Sequence, residues 1–158
     1  MHPSAQQEYG LRCLLRIAER AEEAPVSVAA VAEAEGISPE YAARLMGPLR
    51  RAGLVTSTRG AAGGYRLGRP ADEISVWDVL QALGRSFFAE GFCDCHSGQR
   101  RECVRATDCS IRALWRRADR ALREAFAAIS LADLQRSEQP MVVWLDAPQL
   151  AFVEHPHG

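Results

Sequence analysis

The 158-residue chain has the length of one domain, and a hydrophobic share of 47% with 25% charged residues excludes a disordered, collagen-like or purely coiled-coil protein. No run approaches the roughly 18 apolar residues that suggest a membrane-spanning helix, and Met1–Gly10 lacks the basic-then-apolar pattern of a signal peptide, so a cytoplasmic protein with no membrane partner is expected. The net charge of −1 excludes a polycation, so any attraction to nucleic acid must come from a local concentration of charge.

In chain order, Ser4-Ala5-Gln6-Gln7 reads as a capping box opening a helix to about Glu22, with Tyr9, Cys13, Leu14, Ile17 and Ala21 on its apolar stripe. Pro25 breaks it. Ser27 caps a short helix over Val28–Glu35 that Gly36 stops. Ser38 as N-cap and Pro39 at the first helical position then start a third helix, which runs to about Ala52 with Tyr41, Leu45 and Leu49 at four-residue spacing. Two helices joined by a tight glycine-containing turn are the helix-turn-helix pattern. Gly47-Pro48 lies inside its second helix, where Pro48 removes the hydrogen bond to the Arg44 carbonyl and predicts a kink costing ~3 kcal/mol unless packing compensates.

The β-branched run Leu54–Thr58, the turn Arg59-Gly60-Ala61-Ala62-Gly63-Gly64 and the run Tyr65–Leu67 predict a hairpin. A hairpin directly after a helix-turn-helix is a winged helix. Charge follows the same boundaries: residues 1–40 hold seven Glu and three Arg, whereas residues 41–71 hold Arg44, Arg50, Arg51, Arg59, Arg66 and Arg69 and no acid. All 19 basic residues of the chain are Arg, a bias typical of GC-rich genomes, but the acid-free block is the footprint of a DNA-facing surface.

Ser75-Val76-Trp77-Asp78 is a second capping box, opening a helix through Val79, Leu80 and Leu83. Residues 84–108 read as a loop. Ser110 is expected to cap the longest helix, to about Ile129, whose stripe through Ile111, Leu114, Trp115, Ala118, Leu122, Ala125, Phe126 and Ile129 predicts a dimer seam; packing on its own domain is the alternative. Ser130–Asp133 caps a last short helix, and the tail from Met141 to Gly158 has no assignment. The predicted fold is mainly α with a small β-hairpin wing: a winged helix-turn-helix plus a long C-terminal dimerisation helix. Its expected segments are residues 1–83 for DNA binding, 84–109 for a cysteine-rich loop, 110–135 for the dimerisation helix and the short helix after it, and 136–158 for the unassigned tail.

Four of the five cysteines, Cys93, Cys95, Cys103 and Cys109, fall within 17 residues. In a cytosolic protein such a cluster reads as metal or redox chemistry before disulfides. Zinc prefers short C-x2-4-C spacings, which these gaps fit poorly. Arg100, Arg101 and Arg105 are placed to offset thiolate charge. The fifth cysteine, Cys13, belongs to the apolar stripe of the first helix. No Ser-His-Asp order, phosphate loop or carboxylate pair is visible, and His2, His96, His155 and His157 lie in a loop or at the ends, so an enzyme is not expected.

The segment Arg59-Gly60-Ala61-Ala62-Gly63-Gly64-Tyr65-Arg66-Leu67 resembles the RG-x-x-GGY-x-L wing of the Rrf-two family of bacterial regulators, which includes IscR-, NsrR- and RirA-like members. Gly36-Ile37-Ser38, Leu49-Arg50-Arg51-Ala52-Gly53-Leu54-Val55 and Cys109-Ser110-Ile111-Arg112-Ala113-Leu114-Trp115 extend the resemblance in order from about residue 4 to residue 135. It implies a homodimeric regulator of transcription on palindromic double-stranded DNA, and a repressor is the leading expectation for this chain. Its affinity would be set by an iron–sulfur cluster, 2Fe–2S or 4Fe–4S, that senses iron or cluster status, nitric oxide or redox state. The same fold with a thiol switch or a zinc site in place of the cluster is the alternative.

Residue by residue, the resemblance implies Cys95, Cys103 and Cys109 as ligands, with seven and five residues between them, closest to RirA-like spacing; Cys93 competes with Cys95. IscR-like members carry a ligating His where this chain has Arg112, which cannot serve. NsrR-like members take a carboxylate from the partner subunit's first helix, and the matching position is Glu8; Cys93 or His96 could fill that place instead. Glu8 also sits four residues before Arg12, where a surface ion pair worth ~0.3–0.5 kcal/mol is the plainer expectation. On the DNA side, Pro39, Glu40, Tyr41, Ala43 and Arg44 are expected to face base edges and phosphates in the major groove and Arg59 and Gly60 the minor groove, with Ser38 and Arg50 also among the expected DNA-binding residues. Tyr65 reads as a packing anchor at the base of the wing.

Overall fold

The computed structural model describes residues 4–20, 25–58, 60, 63–84, 93 and 96–146. The elements run α1 (Ala5–Ala18), α2 (Val28–Glu35), α3 (Pro39–Arg51), β1 (Val55–Thr58), β2 (Gly64–Leu67), α4 (Val76–Leu83), α5 (Ser110–Ala127) and α6 (Glu138–Leu145), with 3-10 turns at Ala71–Glu73 and Asp133–Gln135.

The helix starts form as their sequences dictate. Ser4 and Gln7 make a reciprocal capping box on α1, Ser27 caps α2, Ser38 caps α3, and Ser75 with Asp78 makes the second box on α4. Gly36 ends α2 at φ +65°, the left-handed conformation that glycine adopts without strain. α1 stops at Ala18, short of Glu22, because its buried face ends there and the Arg20 N–H closes a tighter turn onto the Ile17 carbonyl at 3.3 Å. Ala21 lies outside the described residues. α3 is continuous through Pro48: Leu45 and Leu49 on either side are fully buried, and this packing holds the helix where the proline removes a backbone bond.

α1 packs on α2, α3 and α4, and the core forms where these faces meet, around Leu14, Ile17, Leu45, Met46, Leu49 and Val79. β1 and β2 pair antiparallel with Val55 opposite Leu67 and Thr58 opposite Gly64. Val26 adds a two-bond bridge to Tyr65 (2.8 and 2.9 Å) on the other edge of β2, so the wing is sewn to the segment before α2. Gly64 is required by that seam. A Cβ there would meet the Val26 carbonyl oxygen at 2.6 Å, a clash with backbone that cannot yield.

The far end of the chain returns to this core. α5 ends at Ala127 rather than at Ile129 because the Ile129 carbonyl accepts the Val76 N–H at 2.8 Å instead of continuing the helix. The Leu131 N–H donates to the Ile74 carbonyl at 2.7 Å, and the Leu131 side chain is fully buried among residues of the winged helix. The Ser130–Asp133 capping box forms, but only one 3-10 turn follows it.

Two starts differ from the sequence expectation. The N-cap of α5 is Cys109, not Ser110: its backbone is extended and its thiol accepts the Arg112 N–H at 3.3 Å, while Ser110 is already helical. The tail expected to lack an assignment contains α6. Its Pro140 is the third helical residue, within the first turn, where backbone N–H groups have no partner inside the helix and proline costs little.

Candidate DNA interface and cysteine loop

α3 divides into two faces. Ala42, Leu45, Met46 and Leu49 are buried, which turns Glu40, Ala43, Arg44 and Arg50 outward to solvent. The Ser38 hydroxyl is committed to the cap, accepting the Tyr41 N–H at 3.2 Å. The Glu40 carboxyl is held below its usual range by its own backbone N–H and by Ser38, so it stays ionised beside the positive end of the helix. Tyr41 is half-buried against the core, and the Arg44 guanidinium lies 5.2 Å from its ring centroid. In the wing, the exposed Gly60 has φ +106°, which favours glycine, and its carbonyl accepts the Gly63 N–H at 2.9 Å to close the turn. Arg59 lies outside the described residues. The Tyr65 ring is partly buried against the core at the base of the wing.

On the loop, Cys93, Cys103 and Cys109 are free thiols of intermediate exposure. Short turns place two of them: the Cys93 carbonyl accepts the His96 N–H at 3.1 Å and the Cys103 carbonyl the Ala106 N–H at 3.0 Å. Arg112 folds back from the first turn of α5 and donates to the Ala106 carbonyl at 2.9 Å, pinning the segment between Cys103 and Cys109 to the helix start. Cys95 lies outside the described residues. Among the described residues no three His, Cys, Asp or Glu side chains converge as a metal site within this single chain. The donors do suit a cluster in kind, being unpaired, accessible thiols on irregular backbone.

Glu8 stands exposed on the first turn of α1. The expected Glu8–Arg12 surface pair gives way to one between helices. Arg12 Nε donates to Glu35 of α2 at 2.8 Å, Arg12 also reaches the Glu35 carbonyl at 3.3 Å, and Arg16 joins the same carboxylate at 3.3 Å. Local spacing could not reveal this pair, because Glu35 comes 23 residues later and meets Arg12 only when α1 crosses α2. The contact of Arg123 over the Trp77 ring at 5.3 Å, which ties α5 to α4, escaped the sequence for the same reason.

Cys13 is the structural cysteine. Its side chain is fully buried, and desolvation, with the nearby Glu35 charge, pushes its thiol up to about 11. The folded value lies above the usual 9.0, so the chain should lose stability as pH rises from 9 towards 11, where the unfolded state releases a proton that the folded state retains. Denaturant melts across this window should show a steeper loss for the wild type than for Cys13→Ala. At neutral pH, a thiol reagent should modify Cys103 and Cys109 in the native protein and reach Cys13 only after unfolding.

The family model for Rrf2, described as an iron-dependent transcriptional regulator, matches residues 4–137. The chain belongs to the Rrf2 family. This Rrf2 chain is 39% identical over 136 residues to Protein rrf2 of Nitratidesulfovibrio vulgaris Hildenborough, covering 86% of this chain and 88% of that one. It is 37% identical over 134 residues to the transcriptional regulator IscR of Aliivibrio salmonicida, covering 85% and 77%. Among solved structures, it superposes on CymR, the global cysteine regulator of B. subtilis, with TM-score 0.68 and 32% identity over 85% of this chain and 96% of that one. It superposes on T. potens IscR with TM-score 0.68 and 27% identity over 96% and 97%. The Rrf2 chain is therefore a winged-helix DNA-binding regulator of transcription and not an enzyme. Among its described residues, no helix is long and apolar enough to cross a membrane.

Proposed function

We propose that this Rrf2 regulator is a homodimeric repressor whose affinity for a palindromic operator is set by an iron–sulfur cluster on residues 93–109. The observation that carries the reading is the double position of Cys109, an accessible thiol that is also the N-cap of the longest helix. A change of bonding at its sulfur acts directly on the first turn of α5. The first two turns of that helix carry Ile111 and Leu114, 51% and 58% exposed, as the start of an apolar stripe on a helix with no buried residue. A second copy of the chain would cover this stripe.

In this reading Cys103, Cys109 and either Cys95 or Cys93 hold the cluster. Glu8 of the partner subunit supplies the remaining ligand. When bound, the cluster supplies a centre whose charge and ligation respond to iron, nitric oxide or oxidants. The chain's own residues perform the rest. Arg44 and the first turn of α3 enter the major groove, Arg50 contacts phosphate, and the wing tip at Arg59 and Gly60 enters the minor groove. The dimer helix sets the separation of the two α3 helices, which must match half-sites about one helical turn, ~34 Å, apart.

Anaerobic purification followed by absorption spectroscopy and iron and sulfide analysis tests this reading. A coloured protein containing iron and sulfide is expected, with both lost in Cys103→Ser and Cys109→Ser and the spectrum altered in Glu8→Ala. A colourless protein with zinc and no sulfide overturns the cluster. So does an iron-free protein whose DNA affinity changes only on disulfide formation; that outcome selects the thiol switch.

A further inference from the structure

We infer that Tyr41 is a positioning residue for Arg44, and that Tyr9 of α1 holds the Tyr41 ring in place. The inference rests on the proposed role of Arg44 as a DNA contact and adds what aims it. Arg44 is exposed, and among the described residues no carboxylate pairs with it; what it has is the Tyr41 ring, 5.2 Å from the guanidinium carbon. Tyr41 lies three residues earlier on the same helical face, so the stack forms within α3. It leaves the charge of Arg44 uncompensated and available to phosphate or a guanine edge.

The ring is itself held. Tyr9 meets Tyr41 edge to face, with centroids 5.9 Å apart and planes at 83°. The Arg12 guanidinium covers Tyr9 at 5.1 Å, and Arg12 is fastened at 2.8 Å to Glu35, whose side chain is only 9% exposed. The chain of contacts Glu35, Arg12, Tyr9, Tyr41, Arg44 thus runs from the α1–α2 crossing to the outer face of the recognition helix. A long side chain loses rotamer freedom when it binds, and one already stacked on a fixed ring loses less.

The test is a double-mutant cycle on binding to a duplex that the wild-type protein selects from a random-sequence pool. Arg44→Ala should weaken binding about ten-fold or more. Tyr41→Leu should weaken it about two- to five-fold, the value of an exposed cation–ring contact. In the Arg44→Ala background, Tyr41→Leu should have no further effect. Equal losses from Tyr41→Leu in both backgrounds would mean that the ring acts independently of Arg44, through the fold or through its own contact with DNA, and would overturn the inference while leaving Arg44 on the DNA. An Arg44→Ala variant with unchanged affinity overturns both readings. Arg44→Lys, at an exposed position that does not threaten folding, gives a second cycle. Lysine stacks less well, so the loss on Arg44→Lys should be larger with Tyr41 present than in the Tyr41→Leu background, and an equal loss in the two overturns the inference.

Discussion

Replacing Leu114 with aspartate should convert the proposed dimer into a folded monomer and weaken binding to a two-half-site operator by about 10²–10⁴-fold. The direction follows from where Leu114 stands. It is 58% exposed in the single chain, so its loss removes little internal packing and the winged helix should keep its circular dichroism and melting behaviour. At a seam between two copies of α5, the same substitution would bury an unpaired carboxylate in an apolar interface. Each half-site would then be bound by an independent monomer, without the high effective concentration that linkage provides. Sedimentation and operator titration measure the two effects. A Leu114→Asp protein that remains dimeric would place the interface elsewhere, on a surface other than the α5 stripe.

Leu131→Ala should lower folding stability by roughly 2–5 kcal/mol, the range for removing a fully buried leucine. For a chain of this size that corresponds to a fall in melting temperature of roughly 5–20 °C. Leu131 follows α5 in sequence yet is completely buried in the core of the winged helix, with its N–H on the Ile74 carbonyl. Its removal therefore loosens the joint between the long helix and the DNA-binding elements as well as leaving a cavity. Besides the lower melting temperature, the variant should discriminate less between operators whose half-sites differ in separation by one base pair. A melting temperature equal to that of the wild type would mean that the joint does not depend on this side chain.

Much of the architecture was readable residue by residue because its signals are local. Ser4 with Gln7, Ser38 with Pro39, and Ser75 with Asp78 satisfy backbone N–H groups within one turn, so the cap and the helix it starts lie next to each other in sequence. Gly36 is needed for a left-handed residue, and the β-branched run before the glycine-rich turn gives the hairpin. One error was also local in origin. Ser110 outranks Cys109 as a cap on general preference alone.

Sequence by itself determined the helix-turn-helix, the wing, the acid-free arginine block and the gathering of four cysteines into one loop, because each is a pattern of neighbours along the chain. Tertiary structure alone decided which side chains meet across the fold. It took Arg12 from Glu8 and gave it to Glu35, brought Tyr9 against Tyr41, and drew Leu131 back into a core that the first 83 residues otherwise build. It also gave Gly64 its reason, since the Val26 backbone lies where a side chain would stand. The division has one physical cause. Backbone capping and turn geometry act over three or four residues, whereas burial and ion pairing depend on which surfaces the packed helices bring together.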